Sequence, residues 1–222
     1  MNVLRKIWKS VRGTSAAPSR ASELPTQMLD DPPGSGIGED RLPETTAMKI
    51  ISSRNPSENP AVNPLRSNLI NPTKRGAIDP TKSALNNPFK NAAISPQASP
   101  ALNPRRRAAI NAVATSTLNP LKSAALDPKR NAKINPDKSV GFAGRYLFNL
   151  KADPVGYTVQ ASDEVALLFS VRGDWSGYLV DNGQGGFNIF NLKSEWTGFC
   201  VPNGQGAFNM FNLACRWIGF SA

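Results

Sequence analysis

Hydrophobic residues recur with three different spacings along the 222-residue chain. In the first twelve residues they fall on one helical face, with basic residues between them, which predicts a short basic amphipathic helix over 1–12. Its apolar positions are Val3, Leu4, Ile7, Trp8 and Val11, and the first four are the candidate partner-binding residues. Such a helix docks in a protein groove or lies on a membrane surface, and we expect a protein partner. Residues 13–54, rich in Ser, Pro, Gly and Asp, are predicted to be a linker.

An eight-residue repeat fills residues 55–142 without an insertion. Each of its eleven units opens on Asn, Asp or Ser, and ten of them continue with Pro. That order is typical of a helix N-cap followed by the first helical position. A few residues can wind helically before the next Asn-Pro stops them. The repeat therefore predicts a long extended arm of short helical turns.

Position eight of the repeat is apolar in ten units and is the candidate partner-binding position. The strict register over all eleven units favours an extended segment whose apolar residue is bound by a partner once in every unit. A disordered basic tail, the alternative, has no need of a register. The residues expected to bind neighbouring protein subunits are Ile70, Ile78, Ile94, Leu102, Ile110, Leu118, Leu126 and Ile134.

Residues 143–222 carry a second, 21-residue repeat, in which aromatic and β-branched runs alternate with turns such as Asn-Gly. This alternation predicts an antiparallel meander of eight strands. The strands are expected near 144–150, 155–160, 165–171, 175–180, 186–192, 196–201, 207–213 and 217–221. The meander can close as a barrel, pack as a sandwich, or form open sheets that associate as an oligomer.

The apolar alternation changes phase inside the 21-residue unit. Phe187 and Ile189 share one face of a strand, whereas Phe190 and Leu192 share the other. Either a β-bulge or burial on both faces explains the change. Burial on both faces of so small a sheet is expected to require a partner or an oligomer.

Charge is concentrated in the eight-residue repeat, which holds 13 basic and 4 acidic residues of a chain with a net charge of +10. Evenly spaced cations can match an acidic protein groove, or neutralise phosphates without reading sequence, so nucleic acid is a second possible partner. The candidate contacts to an anionic surface are the position-four residues Arg66, Lys74, Lys82, Lys90, Arg106, Lys122, Arg130 and Lys138.

The residue types argue against an enzyme. The chain has no histidine, which removes the commonest general base, the His-dependent triads and most zinc sites. We therefore expect no catalytic, cofactor or metal site. Cys200 and Cys215 fall on different predicted strands and are expected to be reduced core residues. No run approaches 18 apolar residues, so no transmembrane helix is expected.

The composite resembles, in general plan only, minor structural proteins of viruses and phages, in which a β domain carries a long arm over neighbouring subunits. The resemblance implies a non-enzymatic structural or assembly protein of a large particle, such as a minor capsid, cement or connector component. It would lie in the virion, assembled in the host cytoplasm, and otherwise in the cytoplasm. Its β domain can anchor the chain or form a homo-oligomer. The alternatives are a nucleic-acid-binding architectural protein that uses the basic arm, and a carbohydrate-binding module built on the 21-residue repeat.

Overall fold

The computed structural model describes residues 48–222. Eight strands follow one another as β1 (Tyr146–Phe148), β2 (Pro154–Gln160), β3 (Val165–Ser170), β4 (Trp175–Asp181), β5 (Phe187–Phe190), β6 (Trp196–Pro202), β7 (Phe208–Asn212) and β8 (Trp217–Ser221). Each pairs antiparallel with the next, and β1 pairs with β8, so the sheet closes as a barrel. The predicted eight-strand meander is confirmed, and the barrel is the form it takes.

One β-bulge interrupts each of the four 21-residue units. The register shifts after Leu147, Leu168, Ile189 and Met210, which occupy the same place in their units. Gly198 belongs to a Trp-x-Gly-aromatic motif, Trp196-Thr197-Gly198-Phe199, and its backbone lies close to the next strand, β7. A Cβ on Gly198 would lie 2.4 Å from the carbonyl oxygen of Phe211 on the neighbouring strand. The absence of a Cβ at Gly198 therefore makes room for a backbone carbonyl of the neighbouring strand.

Replacing Gly198 with Ala is expected to destabilise the protein by at least about 1–3 kcal/mol, because the new methyl group must push a strand backbone away. Gly141→Ala is the matched control, since a Cβ there meets no atom within 4 Å. We expect the control to stay within about 0.5 kcal/mol of the parent protein. Urea unfolding curves of the two variants measure the difference, and equal midpoints would contradict the tight approach.

The strands bury both of their faces. Nine residues form a cluster that contains barrel residues alone and fills the interior: Leu147, Ala166, Leu168, Leu179, Ile189, Cys200, Phe208, Met210 and Ile218. Residues between them point outward and form four stacked ring pairs with centroids 5.3–5.6 Å apart: Phe148–Phe220, Tyr157–Phe169, Tyr178–Phe190 and Phe199–Phe211. All eight outer rings are buried, so something covers them. The phase change in the sequence thus reflects both a bulge and two-sided burial.

The cover is supplied by the same chain. Residues 48–142, which we call the belt, run around the outside of the barrel and cover the outer rings. Belt residues Met48, Ile110, Leu118 and Phe142 share one buried cluster with outer-face barrel residues. The second face of the sheet is therefore covered by the same chain, where the sequence predicts a partner or an oligomer. The repeat does not extend away from the barrel here but is coiled and folded against it.

Each belt unit makes two tight turns, at positions two to four and six to eight. Among the described residues, the turns assigned as 3-10 helices are Ser52–Arg54, Pro60–Val62, Gly76–Ile78, Ala84–Asn86, Ala92–Ile94, Pro100–Leu102, Ala108–Ile110, Ala124–Leu126 and Ala132–Ile134. The Asn at position one serves two turns at once. Asn87 Oδ1 accepts from the N–H of Phe89, two positions on, and its Nδ2 donates to the carbonyl of Pro80 in the preceding unit. Position one thereby ties successive units together.

Position five makes a second tie that the sequence pattern did not indicate. The side chains of Arg75, Asn91 and Asn131 donate to the carbonyl oxygens of position seven in the preceding unit, at distances of 2.7–3.0 Å. Isolated turns of so few residues are unstable in water. Side-chain bonds from one unit to the next, together with packing on the barrel, supply what a single turn lacks.

The belt travels around the barrel against the order of the strands. Asn209 Nδ2 donates to the carbonyl of Ile70, and Asn188 Nδ2 donates to the carbonyl of Ile94, both at 3.0 Å. Ile94 lies three belt units after Ile70, whereas Asn188 lies one barrel unit before Asn209. Three belt units therefore match one hairpin of the barrel. The belt closes where the backbone N–H of Lys49 donates to Asp137 Oδ1 at 2.8 Å.

Candidate functional site

The inner face of the belt is formed by positions two and eight. Position two is buried in all eleven units and position eight is exposed in none of them. Of the residues predicted to bind partners, those buried are Ile70, Ile78, Ile94, Ile110 and Leu118. Those half-buried are Leu102, Leu126 and Ile134. Ile78, Ile110, Leu118, Leu126 and Ile134 pack in clusters with outer-face residues of the barrel. Binding of the eight residues to neighbouring subunits stays a prediction.

Ile78 illustrates how one such residue is held. Its side chain is 6% exposed and shares a cluster with Phe199, Val201 and Phe211 on the outer face of the barrel. The turn Gly76–Ile78 presents it there, and the ring pair of β6 and β7 forms the surface beneath it. Val3, Leu4, Ile7 and Trp8 of the predicted N-terminal helix lie outside the described residues.

Polar bonds fix the position of the belt on the barrel. Arg107 makes a two-pronged contact with Glu164, at 2.6 and 2.8 Å, and these bonds raise the pKa of the guanidinium. Lys129 Nζ lies 2.6 Å from Asp174 Oδ1. These pairs join the basic belt to a barrel that holds 5 basic and 6 acidic residues over 143–222.

A hydrogen-bond relay crosses from the barrel to the belt. The hydroxyl of Tyr178 donates to Ser194 Oγ at 2.8 Å, and Ser194 Oγ donates to Asn111 Oδ1 at 3.2 Å. Burial raises the pKa of Tyr178 to about 12. Its hydroxyl is protonated at neutral pH, as that of an ordinary tyrosine is, and it can donate. The relay connects Asn111 to the barrel. Asn111 opens the one unit of the eleven that has Ala112, and not Pro, at its second position.

The outer face of the belt carries the predicted anionic-surface contacts. All eight position-four Lys and Arg residues are exposed. Lys82 and Arg130 pair with Asp79 and Asp127 of their own units, at 3.3 and 2.7 Å. The position-four cations that form no ion pair with any residue from 48 to 222 are Arg66, Lys74, Lys90, Arg106, Lys122 and Lys138. This outer face is open to an external partner.

Exposed apolar side chains lie among these cations. Leu85 and Leu121 are each 73% exposed, Leu69 is 66% exposed and Leu65 is 45% exposed. A single exposed leucine is ordinary, but several on one face are typical of a protein interaction surface. The outer face of the belt therefore combines positive charge with apolar contacts.

The tryptophans of the 21-residue repeat make structural contacts. The indole N–H groups of Trp175 and Trp217 each donate at 2.8 Å to the carbonyl two positions on. The ring of Phe89 lies 5.3 Å from that of Trp196. All three tryptophans are half-buried, and within the described chain they pack with the barrel's outer clusters.

The two cysteines lie in different environments. Cys200 is buried inside the barrel, where burial raises the pKa of its thiol. It pairs across the sheet with Phe187 and Met210. Cys215 is only half-buried, in the turn after β7, where its φ is 54°. The expectation of a core position therefore holds for Cys200 and is wrong for Cys215, while both are free thiols.

In comparisons with known proteins, no family model, curated protein or solved structure matches the chain. Over residues 48–222, no helix is long and apolar enough to cross a membrane. Within the same span, no three or more acidic or cysteine residues are grouped so that they could hold a metal ion.

Proposed function

We propose that this chain is a non-enzymatic structural or assembly protein of a large particle, such as a virion, and that it contacts acidic neighbouring proteins through the outer face of the belt. The observation that carries the proposal is the composition of that face. Cations that form no ion pair within residues 48–222 recur there at the period of the repeat, with exposed leucines between them. The inner-face residues are already occupied by the barrel, which leaves the outer face for partners.

Nucleic acid is the second candidate partner, and the six unpaired cations favour it as well, since phosphates need no other contact. The exposed leucines separate the two candidates. A phosphate backbone leaves Leu69, Leu85 and Leu121 in contact with water or with charge. A protein surface can bury them, and each buried leucine adds roughly 1.5–3 kcal/mol before the costs of association. We therefore favour a protein partner.

Sedimentation of a native lysate through a density gradient tests the proposal. We expect the chain to migrate with a megadalton particle that survives nuclease treatment. A slow species, or a fast one that nuclease collapses, would contradict the protein-particle proposal, and the nuclease-sensitive result would favour nucleic acid.

Replacing the six unpaired cations with Gln is expected to release the chain from the particle fraction, because complementarity to the acidic neighbour is lost. The melting temperature should hardly change, since these side chains are exposed. The matched control replaces Lys74, Lys90, Lys122 and Lys138 with Arg, which keeps every charge and should keep the chain in the particle. A second variant, with Leu85 and Leu121 changed to Ser, should weaken binding to protein and leave any binding to DNA unchanged.

A further inference from the structure

The belt contains one more partial unit than the Asn-Pro pattern shows. The turn Ser52–Arg54 lies three belt units before Gly76–Ile78, which is one full hairpin around the barrel. Its backbone N–H groups bond as in the other units, from Arg54 to the carbonyl of Ile51 at 2.8 Å and from Asn55 to that of Ser52 at 3.1 Å. With this unit the belt reaches the twelve that four hairpins of three units require. Arg54 then occupies position eight, where nearly every other unit has an apolar residue.

Near Arg54, the 21-residue repeat of the barrel also has an arginine where its other units have an apolar residue. Arg145 lies at the position that Ala166, Phe187 and Phe208 occupy in the other three units. Those three are apolar, and two of them pack as a ring pair with centroids 5.6 Å apart. Ala222 occupies the repeat position that holds Val159, Val180 and Val201 in the other units, so the side chain at this position is smaller in the last unit. Two arginines and a shortened side chain therefore meet at the seam where the belt closes.

A cavity of about 530 Å³ lies at this seam, and Arg54, Arg145 and Ala222 are among its lining residues. This volume is in the usual range for a small-molecule site. Its apolar wall includes Val62, Ile134 and Phe142. Its charged lining consists of Arg54, Lys133 and Arg145, and no lining residue has a carboxylate side chain.

Neither arginine has an acidic partner in the described chain. Arg54 Nη1 donates to the carbonyl of Gly144 at 2.7 Å, and Arg145 Nη1 donates to the carbonyl of Gly206. These bonds orient the guanidinium groups, and within residues 48–222 most of their N–H donors have no hydrogen-bond partner. Burial, and then the charge of Arg54, lower the pKa of Arg145, as expected for two cations held close together without compensation. A guanidinium still remains protonated at neutral pH.

We propose that this seam cavity binds a small organic anion, with its phosphate group between Arg54 and Arg145 and its apolar part against Val62, Ile134 and Phe142. Paired guanidinium groups bind phosphate oxygens through charge-assisted, two-pronged hydrogen bonds. A repeat that is otherwise apolar here has no structural need of either cation. The cavity joins the first and last turns of the belt, so a ligand that bridges them stabilises the closed belt.

Calorimetric titration of the whole protein with phenyl phosphate tests the proposal, with inorganic phosphate and phenol as the two halves of the ligand. We expect phenyl phosphate to bind with a one-to-one stoichiometry and to raise the melting temperature. Inorganic phosphate should bind more weakly, and phenol should not bind measurably. Equal binding of phenol would overturn the anion site, and no binding of phenyl phosphate at millimolar concentration would overturn the proposal altogether.

Two variants replace the arginines with the residue types that the repeats have at the same positions in other units. Because such residues fit the fold elsewhere, a loss of binding in these variants is not explained by unfolding. Arg54→Leu introduces the residue type found at the same repeat position in Leu102 and Leu126, and Arg145→Phe introduces that of Phe187 and Phe208. Each should fold at least as well as the parent protein and weaken phenyl phosphate binding by at least about tenfold. Arg216→Gln is the control and should bind normally, because Arg216 is an exposed arginine of the barrel that does not line the cavity. Binding that survives both restoring variants, or falls equally with Arg216→Gln, would overturn the proposal.

Discussion

A chain that lacks the belt, residues 143–222 alone, is expected not to remain a folded monomer. The barrel then exposes its four stacked ring pairs, all buried in the whole protein. A fully buried aromatic side chain contributes roughly 1.5–3 kcal/mol, so exposing several of them costs on the order of 10 kcal/mol. A domain's whole stability is about 5–15 kcal/mol. We therefore expect this fragment to unfold or to associate through its outer face.

Gel filtration, circular dichroism and binding of a hydrophobic dye measure this result. A chain that begins at Met48 is the matched control, because it keeps the whole belt, and it should elute as a folded monomer. A separate peptide of residues 48–142, added to the fragment, should restore the folded species at a one-to-one ratio. A monomeric fragment with a melting temperature close to that of the whole protein would show that the belt is not needed to cover the barrel.

The strands were predictable because their signals are local. Asn-Gly turns and aromatic runs lie next to each other in sequence, and the closed barrel was one of the forms they allow. The belt was harder to place because its partner surface lies far away along the chain. One large apolar residue per unit cannot build a core by itself, which made an external partner the natural expectation. The aromatic outer face of the barrel supplies the missing half of that core.

The polar residues that align belt and barrel carry little signal in a single sequence. Asn188 and Asn209 each lie between two apolar residues, and nothing in the sequence marks them as contacts, yet they are buried and donate to belt carbonyls. Only these contacts show that three eight-residue units of the belt pass along one 21-residue unit of the barrel. Arg54 was missed because its unit lacks the Asn-Pro start. Arg145 could have been found by aligning the four barrel units, where it alone is charged.

Ile110→Ala is expected to lower the free energy of unfolding by about 2–5 kcal/mol, the usual cost of emptying a fully buried aliphatic site. Ile110 is 0% exposed and lies in the cluster that joins the belt to the outer rings of the barrel. Leu121→Ala is the matched control on the same belt, since Leu121 is 73% exposed, and it should change the stability by less than about 0.5 kcal/mol.

Urea unfolding at several protein concentrations distinguishes a belt that covers its own barrel from one that covers a neighbour's. If the belt lies on its own barrel, the loss caused by Ile110→Ala does not depend on concentration, because the contact forms within one chain. If neighbouring copies exchange belts, the midpoint of unfolding rises with concentration, since dissociation accompanies unfolding. If the belt instead lies on a different subunit of a particle, Ile110→Ala leaves the isolated protein as stable as Leu121→Ala does and reduces its incorporation into the particle. The structure predicts the first of these results.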